Sequence, residues 1–298
     1  MTSNQPPICN YEDSDYQTRF WELGGRAYED KAEALALQRL LPTGGDLLLE
    51  LGAGAGRNTP RYTGFRQVVL VDYSLTQLQQ AVQRLGGNQH YIYVAADIYR
   101  LPFVEGLFDA ATMIRTLHHM AEPRLALDRV RGTLQTGAIF ILEYANKQNI
   151  KAMLRYAFKK QTWSPYSLES VEFEKLNFDF HPKAVSAWLN ETGFTLENQL
   201  AVSYLRLSVF KRRLPIDLLT WLEARLQPTG RWCQFSPSVF TRSRAVGETP
   251  KAQAGTFFKC PVCESKDLEP SGIKLICRGC LREWPIREGI FDFRIDAA

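Results

Sequence analysis

The run Leu47-Leu48-Leu49-Glu50-Leu51-Gly52-Ala53-Gly54-Ala55-Gly56-Arg57-Asn58 constrains this chain most, because it is an apolar strand that breaks into a turn of alternating glycines. An unbroken leucine run suits a strand buried on both faces of a parallel sheet. The glycines supply φ > 0 and let backbone amides approach a ligand with no Cβ in the way. A second apolar strand, Val68-Val69-Leu70-Val71, ends in Asp72, twenty residues past Gly52, where an acid can reach ribose hydroxyls. The two strands predict a nucleotide-cofactor loop in an α/β sheet.

The spacing narrows the cofactor. Dinucleotide sites use G-x-G-x-x-G, whose last glycine packs the helix on the strand beneath a pyrophosphate. Here the third glycine, Gly56, comes one residue early, and Glu50 precedes the first, Gly52. This E-x-G-x-G-x-G stretch resembles motif I of class I S-adenosylmethionine (SAM) dependent methyltransferases. The resemblance implies that Glu50 helps hold the ammonium of an amino-acid end, and that Gly52, Gly54 and Gly56 cradle the cofactor. It further implies that Asp72 and Tyr73 meet the ribose, that Asp97 accepts from the adenine amine and that Ile98 packs nearby.

The likeness continues in order. Tyr91-Ile92-Tyr93-Val94-Ala95-Ala96-Asp97 reads as a third strand ending in an acid, and Leu101-Pro102-Phe103 with Phe108-Asp109-Ala110-Ala111 as the passage into a fourth. Arg115-Thr116-Leu117-His118-His119-Met120 is similar to a Leu-His-His stretch in small-molecule methyltransferases of the type 11 group. An expected helix over 123–134 and a strand over 138–144 complete the core. The implied fold is α/β, a Rossmann-like seven-stranded SAM methyltransferase sheet followed by a small C-terminal β-rich zinc ribbon.

Four of the six cysteines form two C-x-x-C knuckles, Cys260/Cys263 and Cys277/Cys280, separated by thirteen residues. In a chain expected in the cytoplasm this pattern predicts tetrahedral structural Zn2+ rather than disulfides. A redox dithiol or iron in the same sulfur cage are the rivals. A module of about forty residues builds little core, so metal binding is expected to supply much of its folding free energy. With Trp284-Pro285-Ile286-Arg287-Glu288-Gly289-Ile290, the segment resembles the small zinc-binding activator subunit of tRNA, rRNA and release-factor methyltransferases, departing from it at Trp284 and Glu288. The resemblance implies an activator fused in cis.

At 298 residues with a net charge of +4, the chain holds one large α/β domain plus a small module, and its charge is too mild to imply nucleic acid. No stretch approaches the roughly 20 apolar residues that span a bilayer, and Met1 to Asn10 lacks the apolar core of a signal peptide. The expected organisation is an N-terminal helical cap over 1–44, a SAM-binding domain over 45–210 with a helical substrate-lid insertion at 146–180, a basic and aromatic helical extension over 211–254, and the ribbon over 255–298. Residues 194–198 and 202–210 are expected to form the last two strands.

The basic residues between 206 and 244, interleaved with Trp221, Trp232 and Phe235, suit RNA, a peripheral membrane contact, a helix that packs the stripe Leu214, Leu218, Trp221, Leu222 on the core with solvated arginines, or a dimer contact. Near the expected methyl position stand Arg115, His118, His119, Glu143 and Tyr144. His118 or His119 is either a base for a hydroxyl or acidic carbon or a wall residue, and Arg115 either a catalytic group or a cofactor contact. The Asn/Asp-Pro-Pro-Tyr motif of exocyclic-amine methylases is absent after the fourth strand. The leading expectation is an active methyltransferase with a small-molecule acceptor. An RNA or translation-factor acceptor and a non-catalytic SAM-binding docking protein are the alternatives. Oligomeric state leaves no trace in the sequence.

Overall fold

Helix α1 (Ala27–Leu40) leads into β1 (Gly45–Leu51), the leucine run, in the computed structural model, which describes residues 6–10, 12 and 25–295. The remaining part of the expected N-terminal cap lies outside the described residues. Next come β2 (Phe65–Asp72), α2 (Leu75–Leu85), β3 (Tyr91–Ala95), β4 (Phe108–Met113), α3 (Pro123–Thr133) and β5 (Leu134–Ala145). The second half contains α4 (Ile150–Ala157), β6 (Val171–Glu174), β7 (Asn177–Asp179), α5 (Pro182–Glu191), β8 (Phe194–Val202), α6 (Ser208–Arg213), α7 (Ile216–Leu226) and β9 (Ser238–Ala245). Four short strands close it: β10 (Leu268–Ser271), β11 (Lys274–Cys277), β12 (Glu283–Arg287) and β13 (Ile290–Asp292).

Strands β3-β2-β1-β4-β5 run parallel, and β9 enters antiparallel between β5 and β8. Side chains alternate between the faces. Leu48, Val68 and Leu70 pack with α1 and α2, while Leu49, Leu51, Val69 and Val71 pack with α3 and α5. Capping follows the sequence locally: Ser74 Oγ accepts from Gln77 N–H to start α2, and the His181 ring accepts from Lys183 N–H to start α5.

Four expectations need correcting. The sheet has eleven strands, not seven, because the ribbon does not stand apart. Its last strand, β13, pairs in parallel with β3 through Ile290↔Tyr93, Phe291↔Val94 and Asp292↔Ala95, and satisfies the open amides and carbonyls of that edge. The ribbon also shares the main core. Phe258 stacks on Phe103 with centroids 5.8 Å apart and meets Phe293 at 4.9 Å, and Cys260, Cys277 and Trp284 belong to the same buried cluster as Phe108. Burying each such ring contributes roughly 1.5–3 kcal/mol, so the shared core adds to the cohesion of the ribbon.

Second, the strand expected over 202–210 does not form, because Val202 is the last residue of β8. The chain turns at Ser203, φ 67°, and enters α6. The strand beside β8 is β9, within the segment expected to be helical extension and linker, so the sheet domain runs to Ala245 and not to 210. The arginines of β9 hid it, since Arg242 and Arg244 read as free basic charge but both pair with Glu197 of β8. Third, the 146–180 insertion is helical only at α4, with the β6–β7 hairpin making its second half. Fourth, α7 docks on α1 with Leu219, Glu223 and, just past its end, Gln227 rather than with the apolar stripe, and Leu218 and Trp221 stay exposed. Tyr28 OH donates to Glu223 at 2.5 Å and Gln227 donates to the Ala32 carbonyl at 2.8 Å, so that helix interface is polar.

Candidate active site

A cleft opens at the carboxyl ends of β1, β2, β3 and β4, where a doubly wound sheet binds ligands. Its walls include Glu50, Gly52, Gly54, Asp72, Tyr73, Asp97, Ile98, Arg115 and His119. Gly52, Gly54 and Gly56 all adopt positive φ (66°, 53° and 69°). Their surroundings differ. A Cβ on Gly52 would lie 2.0 Å from Thr116 Oγ1, and one on Gly56 would lie 2.8 Å from Leu85 Cδ1, so both glycines serve internal packing. A Cβ on Gly54 would meet only Gln77 Oε1, at 3.8 Å, and would otherwise fill the cleft. Gly54 is the glycine whose open side faces the cleft, and Gly56, packed beneath the loop, is absent from the cleft wall.

The acids at the strand ends hold this loop in shape. Asp72 Oδ2 accepts from Gly54 N–H at 2.8 Å and Oδ1 from Ser74 N–H at 3.0 Å, which leaves lone pairs for further donors. Burial raises its pKa. Glu50 accepts from Thr59 Oγ1 at 2.6 Å and Tyr62 OH at 3.2 Å. Burial pushes it up to about 7, against those hydrogen bonds. Asp97 caps the turn after β3 by accepting from Tyr99 N–H at 2.9 Å. Tyr73 lies beneath the Arg294 guanidinium, 5.8 Å from its ring centre, so the end of the ribbon touches the cleft wall.

Arg115 is the hinge of the site. It adopts φ 55°, its N–H donates to Glu143 Oε2 at 2.8 Å, and its guanidinium pairs with Glu33 of α1. Arg57 binds the same carboxylate. Burial works against ionising Glu33, but the two guanidiniums more than offset it and hold the carboxyl below its usual value. Sequence reading passes over Glu33, because an acid in the first turns of an amphipathic helix normally faces water.

Beyond Arg115 lies a second chamber, walled by His118, Glu143, Asp179 and Arg206 together with side chains from α4 and the β6–β7 hairpin. The adjacent histidines thus divide, His119 on the cleft and His118 on the chamber, with ring centres 4.0 Å apart. His119 Nδ1 lies 2.9 Å from the carbonyl of Leu176 in the hairpin turn. A carbonyl only accepts, so Nδ1 carries the proton and Nε2 is the basic nitrogen. Burial lowers the pKa of both rings, and each is neutral at pH 7. Tyr144 is not at the site: its ring is fully buried in the core.

Residues 49–142 match a protein family described as a methyltransferase domain. A demethylmenaquinone methyltransferase from Clavibacter sepedonicus is 27% identical over 200 residues, 66% of this chain and 80% of that protein. The chain is a class I SAM-dependent methyltransferase. A second demethylmenaquinone methyltransferase, from Thermobifida fusca, is 27% identical over 188 residues, 60% of this methyltransferase and 76% of its relative. Among solved structures, the fold matches a chain of the Haloferax volcanii complex between the Trm112 methyltransferase activator and a proposed methyltransferase. That match has a TM-score of 0.56 and 16% identity, and covers 78% of this chain and 96% of the other. It also matches a SAM-dependent methyltransferase from Mesorhizobium loti, with a TM-score of 0.50 and 17% identity over 72% and 97% of the two chains.

The methyltransferase carries a second candidate centre at the ribbon. The Sγ atoms of Cys260, Cys263, Cys277 and Cys280 all lie within 4.8 Å of one another, with Cys263–Cys277 at 3.4 Å and Cys260–Cys280 at 3.7 Å. Tetrahedral Zn–S bonds of about 2.3 Å would set sulfurs about 3.8 Å apart, so this donor set could hold zinc. The knuckles are built alike. Each second cysteine is followed by a residue at φ 60°, Glu264 and Leu281, whose N–H returns to the carbonyl of Cys260 or Cys277 at 2.8 Å.

Proposed function

We propose that this methyltransferase acts on a small-molecule acceptor held in the chamber beyond Arg115, with SAM in the adjoining cleft. The observation that carries the reading is that the two cavities share Arg115 as a wall, so a methyl donor held in one and an acceptor held in the other would be neighbours. The open side of Gly54, the buried acids Glu50 and Asp97 and the half-buried Asp72 fit a ligand with an ammonium, a ribose and an adenine amine. When bound, SAM supplies an electrophilic methyl for in-line displacement. In this reading Glu50 serves the ammonium end, Asp72 with Tyr73 the ribose, and Asp97 with Ile98 the adenine.

His119, on the cleft side of the shared wall, acts through Nε2 as the base for an acceptor whose reacting end reaches past Arg115 into the cleft and must lose a proton there, because Leu176 fixes its tautomer. Arg115 positions rather than reacts, since its guanidinium is held by Glu33. The demethylmenaquinone methyltransferases above are named for a small-molecule acceptor, which supports the reading.

The test is transfer from methyl-labelled SAM to small-molecule, RNA and protein fractions of a cell extract, with Gly54→Val as the SAM-binding control. Label should enter the small-molecule fraction with the parent and no fraction with the variant. Label confined to RNA or protein would overturn the choice of acceptor.

The ribbon supports a second reading of its own role, a zinc-bound activator module working in cis. What favours it is the β13–β3 pairing, which sets the module on the edge strand beside the cleft, and the fold shared with a chain of the Haloferax activator complex.

A further inference from the structure

The chamber beyond Arg115 has an unusual balance of charge. Five cations line it, Arg26, Arg115, Lys151, Arg155 and Arg206, against the carboxyls of Glu143, Glu174 and Asp179. Two of the cations are committed elsewhere: Arg26 pairs with Glu29, and Arg115 with Glu33. The other three, Lys151 and Arg155 on α4 and Arg206 just before α6, make no ion pair among the described residues and are exposed on the chamber wall. They approach from two different elements.

The carboxyls do not answer this charge. Glu143 is buried and already accepts from the Arg115 N–H and from Ser238 Oγ at 2.5 Å. Asp179 faces Arg206 without pairing with it, and burial pushes it up to about 6. Glu174 sits exposed on the hairpin. Trp163 and Phe173, rings 5.5 Å apart and edge to face, supply an apolar wall to the same space. A cavity that keeps three unpaired cations beside an aromatic pair is built for an anion with a flat or apolar body.

We propose that the chamber recognises an acceptor bearing an anionic group, a carboxylate or a phosphate, held by Arg206, Arg155 and Lys151, with its apolar body against Trp163 and Phe173. This rests on the small-molecule reading above and names the class within it. The anion is anchored at the α4 side, and the methyl-accepting end points back toward Arg115 and the two histidines.

The test uses full-length protein saturated with S-adenosylhomocysteine and three probes of matched size: benzoate, phenyl phosphate and benzamide. Ligand-detected NMR reports binding, and calorimetry reports the affinity for S-adenosylhomocysteine separately. Benzoate or phenyl phosphate should bind and benzamide should not, and the stronger of the two anions identifies the group. The double variant Arg206→Gln/Arg155→Gln should weaken the anion at least tenfold while binding S-adenosylhomocysteine like the parent. Equal binding of benzamide, no binding of either anion, or an unaffected double variant would overturn the anionic chamber. Loss of S-adenosylhomocysteine binding by the parent would instead strike the cofactor assignment on which the reading stands.

Discussion

Glu50 carries the clearest residue-scale consequence. Burial sets its pKa at about 7 in the folded chain against an ordinary 4.5. Between those values the native state keeps a proton that the unfolded chain releases. The stabilisation it brings is therefore complete below the lower value and is lost as pH rises through the upper one. Glu50→Gln abolishes this titration. Without cofactor, the melting temperature of the variant should fall less than the parent's between about pH 5 and about pH 8, and parallel curves would show that Glu50 is not buried as a proton carrier. Such residues were partly legible in advance. Glu50, Asp72 and Asp97 end apolar strands, and the reader of a sequence can see strand ends. Glu33 gave no sign and Arg206 read only as part of a basic segment, because their positions depend on how α1 and α6 are laid against the sheet. Nor does the sequence separate His118 from His119, which a helical turn sends into different cavities.

At the scale of elements, the parallel strands were readable because unbroken apolar runs have few alternatives, whereas β9 was hidden by arginines whose partner, Glu197, lies on another strand. The polar face of α7 escaped for a similar reason: Glu223 and Gln227 are buried by partners on α1 and after β8 that no local pattern announces. The insertion over the chamber has its own tie. Lys147 is 1% exposed, and its Nζ donates to the carbonyls of Ser167 and Glu169 at 3.0 and 2.5 Å and to Ser167 Oγ at 2.6 Å. These bonds pin the loop between α4 and β6. Lys147→Met keeps the unbranched, flexible shape of the side chain and removes the donors, leaving acceptors whose loss costs on the order of 1–3 kcal/mol. Hydrogen exchange should quicken across residues 160–170 while β1 to β5 stay protected. Unchanged protection there would mean that the loop is held by other contacts.

For the molecule as a whole, the ribbon is both a candidate metal site and an extension of the main sheet. Its knuckles were plain in the sequence, but its place in the sheet was not, because parallel pairing leaves no turn between partners to read. Cys277→Ser, or zinc removal by a chelator, should open the four-sulfur cage while the Phe103, Phe258 and Phe293 contacts retain part of the ribbon. The expected result is zinc loss by elemental analysis, a melting temperature lowered by several degrees, and a SAM-binding domain still folded by circular dichroism. A variant that binds zinc and melts like the parent would refute the metal assignment.

The outer partner of β3 in this sheet is separated from it by almost two hundred residues, since Tyr93 pairs with Ile290. During synthesis the first five strands leave the ribosome long before β13 exists, so a nascent sheet spends that interval with a bare parallel edge, the kind of surface on which chains join one another. The time from β3 to β13 is a window of vulnerability that the finished protein no longer displays. Slowing translation between them should raise the share of newly made chains that aggregate.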